Sequence, residues 1–260
     1  MFIDEPGDHQ SSLPYGSLTG VALKDTYVWE LVKKLNKTHE HYATLCQENN
    51  VPFGSVFSVQ SDLTESLIGK SGNNAMPLHK LHIEYFKFCL DLLRDYEAIL
   101  FAIVIPRKDL RLRLDRQLRK DYSFLFERYF HFLNSHHDNQ IGYLIRSKYN
   151  NESRCVDELQ IRDYFNNTTK GRLRSRLIMP EILSCDGSMS VLVHVSRIIT
   201  FVVSQSVRMS GMDIPVNTSL LEVANLCNKL RFSYVADNGK KDWSFKFVSD
   251  LSPMPVLIKR

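Results

Sequence analysis

The sequence predicts an α/β fold: a mixed sheet flanked by helices, with helix-rich insertions. Short apolar runs at residues 1 to 3, 18 to 23, 98 to 105 and 141 to 145 alternate with longer segments of helical period. The run at 98 to 105 is unbroken and partly β-branched, as in a strand covered on both faces. A chain of 260 residues that is 43% hydrophobic buries one sizeable core, so a single domain over residues 1 to 260 is expected.

Taken in order, Met1-Phe2-Ile3 is a strand that delivers Asp4, Glu5 and Asp8 to a turn at Pro6 and Gly7. Carboxylates at the end of a buried strand are costly unless a cation meets them, and clustered oxygen ligands suit Mg²⁺ or Mn²⁺. Asp4 and Asp8 are therefore candidate metal ligands, although a solvated turn uses the same residue types. Residues 10 to 16 read as a polar loop, and 18 to 23 as a strand able to pair with the first. A helix follows from Asp25 or Thr26 to about residue 49, with Val28, Leu31, Val32, Leu35, Tyr42 and Leu45 on one face. His39 and His41 lie two positions apart on different sides of it and are expected at the surface.

Residues 50 to 75 are rich in Ser, Gly and Asn and read as a long excursion. Gly69-Lys70-Ser71 within it lacks the first glycine of a phosphate-binding loop, because Thr64 stands at that place. Residues 76 to 96 form a helix with Leu81, Tyr85, Phe88 and Leu92 in its apolar stripe, and the buried strand at 98 to 105 is closed by Pro106. Arg107, Lys108, Arg111, Arg113, Arg116, Arg119 and Lys120 then spread charge around most of a helix. This is either a solvated face or a phosphate-contacting surface. The helix continues through Phe124, Leu125, Tyr129, Phe130 and Phe132, which turn to the core, and ends near His136, His137 and Asp138.

A strand at 141 to 145 and a short helix at 157 to 165 come next. If residues 172 to 178 are extended, Lys170, Arg172, Arg174 and Arg176 share one face, as in a groove that tracks a nucleic-acid backbone or an edge strand guarded by charge. Residues 190 to 207 are the most apolar segment, but His194 and Arg197 near its middle point to a buried central helix rather than a membrane span. Ser190, His194 and Arg197 make one polar stripe on it, so Arg197 must meet an acid or a water-filled cleft. The tail reads as a helix over 219 to 234 and a strand in which Trp243, Phe245 and Phe247 alternate beside Lys240, Lys241 and Lys246. Such aromatics either stack bases or form the inner side of a strand.

The formal charge of +4 is mild, so any nucleic-acid surface must come from local clustering. Five widely spaced cysteines with no Cys-x-x-Cys pair argue for reduced thiols and a cytoplasmic location, and against a zinc ribbon or disulfide framework. Acids within the first residues are unlike a secretory leader.

The segment Asp4-Glu5-Pro6-Gly7-Asp8 resembles the opening strand of a bacterial family filed as domain of unknown function 3800, which reads Asp-Glu-Ser-Gly-Asp; Pro6 replaces the serine. A second similarity lies at residues 186 to 199, where relatives have an Asp-Ser turn and then a helix with a Gln, an Ala and an Asp at set places. Here Asp186 matches the turn acid, while His194, Ser196 and Arg197 stand for the other three. The resemblance implies an RNase H-like fold whose acids hold Mg²⁺ or Mn²⁺ for cutting phosphodiester bonds, with Asp4, Glu5, Asp8 and Asp186 as the catalytic set. Relatives also carry a Glu-x-His element, of which this chain keeps His79 behind Pro77 and Leu78, and a strand aspartate where it has Arg146-Ser147-Lys148.

Two arginines where a metal shell is expected would repel its ions. The expectation is a scaffold whose nuclease site is weakened or lost, with Arg197 and Arg146 pairing the acids. Two function classes follow. One is a nuclease-like protein that binds nucleic acid or a protein partner, and the other is an active metal-dependent nuclease acting on RNA or DNA. Some relatives lie beside reverse transcriptases in bacterial retron systems. The resemblance thus implies an effector or accessory subunit in phage defence, with a reverse transcriptase or other defence protein as partner and no membrane. An oligomer is compatible with this role.

Overall fold

Side chains alternate along the first strand, and that alternation sets the layers of the molecule: Phe2 joins one hydrophobic cluster and Ile3 the other. The computed structural model describes residues 1–5, 15–49, 75–106, 118–135, 140–148, 158–186, 190–235 and 239–250. Strand β1 (Phe2–Asp4) pairs antiparallel with β2 (Tyr15–Ala22), which pairs antiparallel with β3 (Ile99–Pro106). On the other side of β1, strand β4 (Gly142–Lys148) runs parallel to it, and β5 (Ile178–Asp186) runs parallel to β4. With the short late strand β8 (Phe245–Phe247) running parallel beside β3, the order across the mixed sheet is β5-β4-β1-β2-β3-β8.

One face of this sheet carries α1 (Asp25–Glu48), α2 (Ala75–Asp95), α6 (Val191–Ser206) and α7 (Leu221–Lys229). Leu31, Tyr85, Val195 and Val223 pack there on Phe2, Val21 and Ala102. The opposite face carries α3 (Lys120–Ser135) and α4 (Glu158–Asn167), with α5 (Thr169–Arg174) following α4. Phe126 and Phe165 pack on this side against Ile3, Phe101 and Leu144. Burying one such aromatic or aliphatic side chain contributes about 1.5–3 kcal/mol, so both layers are needed to offset chain entropy. The expected α/β class and the fully covered third strand both hold.

Helix α6 seats on β2 through hydroxyl groups as well as hydrocarbon. Ser17 Oγ donates to the Thr200 carbonyl at 2.9 Å and lies 2.7 Å from Ser204 Oγ, while Thr19 Oγ1 lies 2.6 Å from Thr200 Oγ1. These buried hydroxyls satisfy one another, which removes the cost of placing them in the core. Ser190 caps the helix, its Oγ accepting from the Val193 N–H at 3.4 Å. Among the described residues, no helix is long and apolar enough to cross a membrane.

Several elements depart from the sequence reading. Residues 172 to 178 are not extended: α5 occupies Thr169–Arg174, with the Thr168 side chain as its cap, which destroys the alternation of the basic row. The sequence reading placed no strand between residues 178 and 186; β5 runs there at the sheet edge, where the missing N–H of Pro180 is tolerated. Helix α1 starts after Lys24, which offers no side-chain cap. The tail helix stops at Lys229 instead of 234, and the chain enters β6 (Ser233–Val235), which pairs with β7 (Lys241–Trp243). Strand β8 (Phe245–Phe247) is separated from β7 by the buried Ser244, so the three alternating aromatics span two strands. Residues 50 to 74, including Gly69-Lys70-Ser71, lie outside the described residues, as do His136, His137 and Asp138.

Candidate functional site

The end of β1 divides its two acids between the layers. Asp4 is opposite Thr19 in the β1–β2 ladder and follows the Phe2 face, so it turns towards α6. There Arg197 Nε stands 3.7 Å from Asp4 Oδ1, with the carboxylate side chain 1% and the guanidinium side chain 20% exposed. The polar stripe of the apolar helix thus meets an acid, as its spacing requires. Asp4 in turn gains a cation without which its burial would be strongly unfavourable.

Glu5 continues the alternation into the α3 layer. Its Oε2 lies 3.4 Å from Arg119 Nη2, and the Tyr122 hydroxyl donates to Oε1. Arg119 is itself held by Asp121, with Nε donating at 2.9 and 3.1 Å and Nη2 at 2.6 Å. Burial would lower the Arg119 pKa, but the Asp121 and Glu5 carboxylates outweigh it and keep the guanidinium well above its ordinary value. Burial, and then the Glu5 charge, push the Tyr122 phenol well above the usual range, so it stays a donor. Arg119 was expected only as one charge on a basic helix. It precedes α3 and is buried because Asp121 and Tyr122, the residues that organise it, follow directly.

Arg146 is in register with Ile3 and shares the Leu144 side of β4, which places it with the Glu5 group rather than on the Asp4 side of the sheet. It lies 3.6 Å from Glu158 Oε1, and its charge is felt at Tyr122. The expectation that Arg146 and Arg197 act together on one group of acids is therefore corrected: each guanidinium belongs to its own layer. Asp8 lies outside the described residues. Asp186 closes β5 opposite Lys148, at the carboxyl end of the parallel strands that also holds Asp4; its side chain lies outside the described set. Among the described residues no three His, Cys, Asp or Glu side chains converge as a metal group.

His194 is buried, in contact with His39 and Tyr85. Burial, reinforced by His39 and Arg197, pushes its pKa down to about 3, which keeps the imidazole neutral. His39 is correspondingly not the surface histidine expected: it is half-buried against Tyr85, while His41 is exposed beside Tyr42. Rings distant in sequence, Tyr85 on α2 and His194 on α6, pack over it, and the periodicity of α1 carries no sign of that.

The nucleic-acid candidates separate. Arg107, Lys108 and Arg111 lie outside the described residues, as does the side chain of His79. Lys170, Arg172 and Arg176 are exposed. Arg174 is not available to a ligand: it is 5% exposed and donates to the Ser123 carbonyl at 3.0 Å, to Glu127 Oε2 at 2.8 Å and to the Tyr164 hydroxyl. Comparison with protein-family models, curated proteins and solved structures gives no match.

Proposed function

We propose that this chain is an RNase H-like protein that binds nucleic acid or a protein partner and whose nuclease activity is weakened or lost. The observation that carries this reading is the Asp4–Arg197 pair, in which a guanidinium from the central helix occupies the place next to the strand-end carboxylate. An ion held by Asp4 would sit beside that fixed positive charge, and Glu5 faces the other layer among Arg119, Tyr122 and Arg146. The described donors thus suit guanidinium pairing better than two divalent ions about 4 Å apart. The fold part of the reading is supported by the sheet, a mixed six-stranded one flanked by helices in which an antiparallel β1-β2-β3 unit is extended by parallel β4 and β5 on the β1 side.

In this reading the protein serves as an effector or accessory subunit of a bacterial phage-defence system of the retron kind, with a reverse transcriptase and its RNA–DNA product as partners. A second reading, an active nuclease using Mg²⁺ or Mn²⁺, draws on one observation: Asp4 and Asp186 end strands that both flank β4, at the same end of the sheet. One experiment separates them. Labelled RNA and DNA incubated with the protein and Mn²⁺ are expected to be retained on a native gel at full length. Cleavage products that vanish with Asp4→Ala would establish the second reading instead.

A further inference from the structure

The hairpin formed by β6 and β7 has two different faces. Phe232 and Tyr234 point to α3, where Tyr234 stacks on His131 with ring centroids 4.4 Å apart and Phe232 meets Phe132 edge-on at 5.3 Å. The alternation that buries them turns Arg231, Ser233 and Val235 outward, and the ladder pairs Ser233 with Trp243 and Val235 with Lys241. The outer face therefore presents Trp243, 39% exposed, and Val235, 70% exposed, with two cations over the indole ring. Lys241 Nζ lies 4.6 Å and Arg231 Cζ 5.0 Å from the indole centroid.

The described acid of the hairpin, Asp242, is opposite Tyr234 in the ladder and so lies on the α3 side, away from Lys241 and Arg231. Asp242 accepts from the fully buried Arg128 at 2.8 Å and from the Tyr234 hydroxyl at 3.3 Å. Arg128 Nε also donates to the Trp243 carbonyl at 2.8 Å, so the residue that takes up the acid fixes the backbone under the indole. Ser244 adds a second anchor, its Oγ accepting from the Phe232 N–H at 2.9 Å. The result is a rigid, cationic, aromatic platform.

We infer that the outer face of this hairpin binds single-stranded nucleic acid, with a base stacked on Trp243 and the flanking phosphates met by Lys241 and Arg231. Lys241 and Arg231 lie over the indole ring itself, so a base takes the place of the exposed Lys241 ammonium on that face while Lys241 turns to a flanking phosphate, and base stacking is indifferent to sequence. A duplex does not expose the base face this stacking needs. The inference rests on the nucleic-acid-binding reading above and adds to it the strand state of the ligand and the place where it docks, which is separate from the Asp4–Arg197 pair.

The test uses the full chain with Trp29→Phe, which leaves Trp243 as the only tryptophan. Titration with oligouridylate and oligothymidylate is expected to quench its fluorescence, while duplexes of the same length quench weakly. In parallel, anisotropy of a labelled oligonucleotide should show roughly ten-fold or greater weakening with Trp243→Ala. Lys241→Glu, a surface change that spares the packing, should weaken binding and reduce the salt slope by about one. Undiminished oligonucleotide binding by both variants would overturn this inference and leave the nucleic-acid reading standing. No retention of any nucleic acid by the parent chain would overturn both. Equal quenching by polyglutamate, without preference for oligonucleotides, would assign the platform to an acidic polypeptide and refute the inference.

Discussion

His194 and His39 face each other across the contact between α6 and α1, their ring centroids 6.5 Å apart and both close to Tyr85. The folded pKa of His194, about 3, lies below the unfolded value, so above pH 6.5 neither state is protonated and this group does not reduce stability. As pH falls from 6.5 towards 3 the unfolded chain takes up a proton that the folded chain refuses, and stability drops by about 1.4 kcal/mol per pH unit. His39, whose pKa burial also lowers, acts in the same direction. Urea unfolding at pH 6.5 and pH 5 should therefore differ by about 2 kcal/mol on account of His194 alone. His194→Leu is expected to remove most of that difference, and an unchanged pH slope would refute the assignment.

Arg197→Leu removes the cation facing a carboxylate that is almost completely buried. The expected loss is about 3 kcal/mol in chemical denaturation, since the remaining charge is left without that partner. Arg197→Asp clears the guanidinium and adds a carboxylate on the Asp4 side. Calorimetry should then detect Mn²⁺ binding that the parent chain lacks at micromolar concentrations. Equal Mn²⁺ binding by parent and variant would count against the guanidinium as the blocking group.

The basic residues near α5 should separate cleanly by burial. Arg174→Ala is expected to destabilise by about 3 kcal/mol, because Glu127 and the Tyr164 hydroxyl lose their partner inside the protein. Arg172→Ala, at an exposed position, should stay within about 0.5 kcal/mol. Thermal unfolding of the two variants side by side checks this.

Gly171 lets the start of α5 approach the end of α4. A Cβ added there would stand 1.9 Å from the Tyr164 carbonyl oxygen, a backbone atom with no rotamer to escape into. Gly171→Ala is expected to cost about 3 kcal/mol or to shift the α4–α5 junction, read as a lowered unfolding midpoint.

How much of this was legible in the sequence depends on the range of the interaction. Local period sufficed for β3 and α6, whose burial is dictated by their own residues, and the i, i+4, i+7 stripe announced that Arg197 needed an acid. It could not announce which acid, and it grouped Arg146 with Arg197 because the parity of two residues across two strands is set only by ladder register. Arg119 illustrates the same limit: read among its basic neighbours it is one charge in a row, whereas Asp121 chelates it and Glu5, far off in sequence, completes its shell. Strand β5 was not read from the sequence, and its tolerance of Pro180 follows from its place at the sheet edge, which is a property of the assembled fold and not of a nine-residue window.

The hydroxyl contacts between β2 and α6 have a consequence for the pair that began at the first strand. A greasy helix lying on a greasy sheet can slide or roll at little cost, because hydrophobic attraction has no direction. Oriented hydrogen bonds between the Ser17 and Thr19 hydroxyls and Thr200 and Ser204 work instead like the teeth of a gear, admitting one axial setting. Arg197, one turn ahead of Thr200, inherits that setting, so its alignment with Asp4 is indexed from a strand that contributes neither partner.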